Sequence, residues 1–174
     1  MELPEVAALN ALSASAFVDA LAPLFEGAPR FLDRLAGLRP FASDAALLAA
    51  ARTAAASAPE DELTELLKAH PRIGATPDLL SDLSRREQDD GASGTTLVAE
   101  LAALNVTYEA RFGFRYVVFV AGRPRSAIAP LMRAALHNDR ASELRRGTDD
   151  AISIAEDRLA RAREAARQAE GIRS

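Results

Sequence analysis

Residues 45–51 read Ala45-Ala46-Leu47-Leu48-Ala49-Ala50-Ala51, with no β-branched or turn-forming residue, and this run decides the fold class. Alanine and leucine lose the least on entering a helix, so the segment reads as helix, with Ser43 as its N-cap. Toward the N-terminus, Ser13 caps a helix through Phe17, Leu21 and Leu24. Pro29 opens another through Phe31, Leu32 and Leu35, which Arg39-Pro40 ends. Toward the C-terminus, Ala58-Pro59-Glu60-Asp61-Glu62 places proline and three acids in a first turn, where the helix dipole favours them. The stripe Leu63, Leu66, Leu67 has helical spacing, and Pro71 forbids continuation, so His70 falls at a helix terminus or turn.

From Pro71 to Leu83 the pattern is lost, with Gly74 and Pro77 marking a loop, and Ser84-Arg85-Arg86-Glu87-Gln88 suits a short helix capped around Ser81 or Ser84. Gly91 and Gly94 mark a further break, after which Thr95 or Thr96 caps a helix through Leu97, Leu101, Leu104 and Tyr108 that ends at Gly113. Only Phe114-Arg115-Tyr116-Val117-Val118-Phe119-Val120 has strand composition, and it has no partner of like character. It is expected as an extended segment, or a helix entry, buried in the core. Two helices follow, one through Ile128, Leu131, Met132 and Leu136, the other from Asp139 to Gln168 with Gly147 as a weak point. Arg158 to Arg167 alternates Arg, Ala and Glu as a solvated face would. The expectation is an all-α, single-domain bundle over residues 1–174, of about seven to nine helices, with one extended core segment near residues 114–120.

The 174 residues, 49% hydrophobic and 26% charged, suffice for one core and exclude low-complexity disorder. No cysteine is present, which removes disulfides, thiolate metal sites and thiol nucleophiles. Two separated histidines, His70 and His137, and no clustered acidic loop argue against a metal. A pI near 5.3 with scattered basic residues argues against nucleic acid as partner. No run reaches the roughly eighteen apolar residues of a membrane span, and Met1-Glu2-Leu3-Pro4-Glu5 lacks a signal's basic start, so a cytoplasmic protein without membrane association is expected.

Individually, the polar candidates decide little. His70 is an acid/base group by residue type and a helix C-cap by position. Ser84 and Glu87 have the spacing of a capping box, and with Gln88 they equally surround a small polar ligand. Asn105, Tyr108 and Arg111 read as core and polar flank, and His137-Asn138 as a C-cap. Arg158, six residues after Ile152 and four after Ile154, faces inward along the apolar stripe, where it would demand an anionic partner, or else is one surface arginine among many.

Their order along the chain is more specific. Leu9-Asn10, Arg39-Pro40-Phe41, His70-Pro71-Arg72-Ile73-Gly74, Ser84-x-x-Glu87-Gln88, Leu104-Asn105-x-x-Tyr108-x-x-Arg111-Phe112-Gly113-Phe114, Asn138 and Ile152-Ser153-Ile154-Ala155-Glu156-Asp157-Arg158-Leu159 together resemble the OHCU decarboxylase family. The motif-bearing part spans about residues 9–160, leaving 161–174 as a helical tail. That family decarboxylates 2-oxo-4-hydroxy-4-carboxy-5-ureidoimidazoline to S-allantoin in urate degradation.

The resemblance implies His70 as acid/base residue and Pro71 lining the substrate pocket. It implies substrate contacts from Ser84, Glu87 and Gln88, with Glu87 also catalytic. It further implies backbone contacts from Tyr116, Val117, Val118, Phe119 and Val120, an arginine contact from Arg158, and a homodimer acting on a small molecule. Phe114-Arg115-Tyr116 and Asp89-Asp90-Gly91-Ala92-Ser93-Gly94 depart from the family's usual loops. No cofactor is expected, because the C=N bond beside the leaving carboxylate takes up the electrons itself. The rival readings are a helical domain that binds a small anion without turnover, and a nucleic-acid-binding helical regulator.

Overall fold

The computed structural model describes residues 3–74 and 91–173, and all regular structure among them is helical. The helices are α1 (Val6–Ala11), α2 (Ala14–Leu21), α3 (Pro29–Ala36), α4 (Asp44–Ser57), α5 (Glu60–Ala69), α6 (Gly91–Phe112), α7 (Arg125–Ala135) and α8 (Arg140–Arg173). The starts follow local chemistry. Ser13 accepts from the Ala16 amide at 3.2 Å, Ser43 from the Ala46 amide at 3.1 Å, and Pro29 sits in the first turn of α3.

The core is continuous, from Phe17, Leu21, Phe31 and Leu35 through Leu66 and Leu67 to Tyr108, Met132, Ile152 and Ala155. Helix α8 packs along α4 and α5. Gly147 permits that closeness, since a Cβ there would lie 3.0 Å from Leu67 Cδ1. The glycine is therefore a contact point within an unbroken helix rather than a weak point. On the next face, Arg34 of α3 grips the buried carboxylate of Glu62 with two bonds of 2.7 and 2.8 Å, fixing α5 against α3. The early motifs clasp each other: Asn10 donates to the Phe41 carbonyl at 2.7 Å and accepts from the Phe41 amide at 2.9 Å.

Residues 114–120, the expected core segment, are neither helix nor strand, and they bury Phe114, Tyr116, Val117 and Val118. Tyr108 packs edge-on against Tyr116, with ring centroids 5.0 Å apart.

Three expectations need correction. Helix α6 is already helical at Gly91 and runs through Gly94, so neither glycine breaks it and Thr95 and Thr96 lie inside it; a helical glycine costs about 1 kcal/mol, which the rest of a 22-residue helix outweighs. Helix α3 stops at Ala36, before Arg39-Pro40. The stretch 158–167 is not uniformly solvated, because Arg163 is buried, bonding to both Asp44 oxygens at 2.8 and 3.0 Å and to the Leu3 and Pro4 carbonyls. No helix among the described residues is long and apolar enough to cross a membrane.

Candidate active site

His70 caps the C-terminus of α5 in an extended conformation and is 3% exposed. Its Nδ1 lies 2.9 Å from the Leu66 carbonyl oxygen. A carbonyl only accepts, so the proton resides on Nδ1 and Nε2 of the neutral ring carries the lone pair. Nε2 is buried without a hydrogen-bond partner among the described residues. Burial pushes the imidazole below its ordinary pKa, against the opposing pull of the Leu66 carbonyl. A neutral imidazole nitrogen without a partner among the described residues has its lone pair available to take a proton.

The charges around His70 come from three other elements. Glu26, on the turn between α2 and α3, favours the imidazolium, while Arg158 of α8 and Arg115 of the extended segment oppose it. Arg158 does face inward and has the anionic partner its position demanded: Nη2 donates to Glu26 Oε1, and Nη1 donates to the carbonyls of Pro23 at 2.9 Å and Leu24 at 3.2 Å. The neighbouring arginines point elsewhere. Arg161 is exposed and pairs with Asp157, and Arg163 serves the N-terminus.

The extended segment is held by arginines. Arg115 Nη1 donates to the His70 carbonyl at 2.5 Å, Arg146 Nη1 to the Val117 carbonyl at 2.9 Å, and Arg123 to the Phe119 and Val120 carbonyls at 2.6 and 3.0 Å. The carbonyls of Val117, Phe119 and Val120 are thus engaged and the Phe119 amide bonds to Asp150, while the amides of Val117, Val118 and Val120 find no acceptor among the described residues. Arg146 is itself gripped by Glu143, which is wholly buried and also accepts from Tyr108 Oη at 2.6 Å and Asn138 Nδ2 at 2.8 Å. Burial opposes ionisation of Glu143, but the donors outweigh it and hold the carboxyl below its usual range. Burial raises the Asp150 carboxyl, against the pull of Arg146, with which it pairs at 2.9 Å.

Pro71 and Arg72 are exposed at the mouth of the turn that follows His70. Beside them a cleft of about 220 Å³ is lined by Arg72, Ile73, Gly74, Val98, Ala102, Asn105 and Val106. Asn105 pins the turn by donating to the Ile73 carbonyl at 3.0 Å, and its Oδ1 is buried without a partner among the described residues. Ser84, Glu87 and Gln88 lie outside the described residues. Among the described residues no three His, Cys, Asp or Glu side chains converge as metal ligands.

A family model described as OHCU decarboxylase matches residues 10–160. The chain belongs to the OHCU decarboxylase family. It is 32% identical over 155 residues to a 2-oxo-4-hydroxy-4-carboxy-5-ureidoimidazoline decarboxylase of Haloferax volcanii, covering 87% of this chain and 92% of that protein. It is also 32% identical over 155 residues to the uric acid degradation bifunctional protein PucL of Bacillus subtilis, of which the match spans 31%. The fold is shared with a crystal structure of OHCU decarboxylase in the presence of (S)-allantoin, at a TM-score of 0.65 and 24% identity over 82% of this chain and 96% of that one.

Two groups around the buried histidine lay beyond sequence reasoning. Glu26, between Phe25 and Gly27, carries no motif, and Arg115 drew notice only as a departure from the usual loop. A lone charged residue beside buried aromatics is the signal that would have found Glu26.

Proposed function

We propose that this chain decarboxylates 2-oxo-4-hydroxy-4-carboxy-5-ureidoimidazoline to S-allantoin without a cofactor, with His70 as the proton-transfer residue. The observation that carries this reading is the buried Nε2 of His70, which has no partner among the described residues and lies in the field of the Arg158–Glu26 pair. As CO2 leaves, the electron pair of the broken C–C bond enters the adjacent C=N unit of the ring. Nε2 takes the proton of the 4-hydroxyl group and returns it to the ring carbon from one face, while solvent protonates the ring nitrogen. Burial suits both halves: the imidazole is neutral at the outset and, once charged, is a stronger acid than one in water.

The remaining roles belong to the same proposal. Arg158 meets an anionic or carbonyl oxygen of the substrate, the backbone of Tyr116, Val117, Val118, Phe119 and Val120 contacts the ureidoimidazoline, and Pro71 walls the pocket. Ser84, Glu87 and Gln88 bind the substrate, with Glu87 orienting the ureido group. A homodimer in the cytoplasm completes the reading, and light scattering that returns the monomer mass would overturn the dimer.

The test forms the unstable substrate in place from urate with urate oxidase and hydroxyisourate hydrolase, and follows the circular dichroism of the product. Wild-type protein is expected to yield one allantoin enantiomer rapidly, and His70→Asn to lose at least about 100-fold in rate, the lower range for a general acid/base. Slow racemic background with folded wild-type protein would leave a domain that binds a small anion without turnover.

A further inference from the structure

Arg158 is held by a device whose geometry exceeds what packing alone requires. A single turn, residues 22–28, presents three acceptors to one guanidinium: the carbonyls of Pro23 and Leu24 and the carboxylate of Glu26. The turn is rigid. Leu24, Phe25, Gly27 and Ala28 all donate backbone bonds within it or to the end of α2, at 2.9 to 3.3 Å, and the side chains of Leu24 and Phe25 are fully buried.

Glu26 stands at φ 53° and Gly27 at φ 86°, both in the left-handed region. Glycine, asparagine and aspartate occupy that region more readily than glutamate does. A glutamate there is intelligible from its side chain, which reaches back to Arg158. The guanidinium has five N–H groups. Nη1 uses two on carbonyls and Nη2 one on Glu26, so Nε–H and the second Nη2–H have no acceptor among the described residues. Arg158 is 31% exposed, so the two N–H groups left over are not sealed in the core. Nε–H and the Nη2–H on its side form one edge of the guanidinium, which matches a carboxylate.

We propose that Glu26 is a positioning residue of this site: its carboxylate fixes the rotation of the Arg158 guanidinium so that the two N–H groups without an acceptor among the described residues meet the anionic substrate beside His70. The proposal rests on the decarboxylase reading above. Removing Glu26 leaves Arg158 hinged on two carbonyls through Nη1 alone, free to turn its binding edge away, and the loss should fall on substrate binding.

A double-mutant cycle tests this with Glu26→Gly, Glu26→Gln and Arg158→Ala, reading kcat and KM separately with the melting temperature of each variant. Glu26→Gly relieves the backbone at φ 53°, so it is expected to melt within about 3 °C of wild type. Its KM should nonetheless rise about tenfold, with a smaller change in kcat. Glu26→Gln, which keeps an acceptor but no charge, should recover part of that loss. In the Arg158→Ala background the Glu26→Gly change should alter KM by less than about twofold, because its route of action is gone. Additive effects with an active wild type would overturn the positioning role alone, as would a Glu26→Gly variant of unchanged KM. A wild-type chain that produces only racemic background would overturn the functional reading and this inference together.

Discussion

Replacing Glu143 with Gln tests whether the buried charge chain of α8 holds the extended segment. Glu143 is 0% exposed, and four donor groups converge on its two oxygens: Tyr108 Oη at 2.6 Å, Asn138 Nδ2 at 2.8 Å, Arg146 Nη2 at 2.8 Å and Arg146 Nε at 3.0 Å. Glutamine offers one oxygen and turns an NH2 toward at least one of these donors, so a repulsive contact replaces a charge-assisted bond. Breaking a buried ion pair on one side costs about 3–5 kcal/mol. Arg146 is 31% exposed and retains Asp150 and the Val117 carbonyl, which places this case lower, at about 2–3 kcal/mol. For a chain of this size each kcal/mol moves the melting temperature by about 2–4 °C, so a drop of about 4–12 °C is expected by thermal circular dichroism. Arg146 would also loosen its grip on the Val117 carbonyl, so KM should rise even well below the melting transition. A melting temperature within about 2 °C of wild type would refute the claim that this carboxylate is an ionised, indispensable partner.

Other measurements address the remaining contacts. The His70 imidazole titrates lower in the folded chain than unfolded, so the unfolded state binds the extra proton between the two values and stability rises with pH across that window. The contribution is complete above about pH 6.5 and lost as pH falls through the folded value, so urea midpoints should decline below about pH 6.5, and less steeply in His70→Asn. Arg163→Ala strands Asp44 and the Leu3 and Pro4 carbonyls, and should cost about 2 kcal/mol by urea unfolding with faster amide exchange in residues 3–11. Ser43→Ala removes the cap bond to Ala46 and should cost about 1 kcal/mol, whereas Ser43→Gly should cost only a few tenths.

What the sequence disclosed was local. Caps at Ser13 and Ser43, the proline starts at Pro29 and Pro59, and the inward stripe that placed Arg158 all depend on neighbours within a turn or two, and each lies where its spacing put it. The position of His70 at the end of α5 followed from Pro71 in the same way. Its burial did not, because that depends on α8 lying close to α5 through the Gly147–Leu67 contact, 80 residues apart in the chain. Arg163 was misjudged for a related reason. Its neighbours Arg161 and Glu164 are solvent-facing, and only the return of the N-terminus with Leu3, Pro4 and Asp44 gives it an interior.

The extended segment shows why arginine governs this site. A strand-like stretch buried without a sheet must satisfy its carbonyls elsewhere, since each unpaired buried group costs about as much as a lost hydrogen bond. Helices cannot supply the donors, as their amides are already committed along the ladder. Long side chains with several fixed donors can. Arg146 reaches in from α8 and Arg123 from the loop before α7, while Arg115 ties the start of the segment to the His70 carbonyl. The carbonyls of Val117, Phe119 and Val120 are thereby occupied, and the amides of Val117, Val118 and Val120 are left without acceptors among the described residues. One solution to a packing problem thus leaves a row of donors without partners on the segment that is tied to the catalytic candidate. Loosening any of the three arginines should therefore be felt in substrate binding before it is felt in the chemistry of His70.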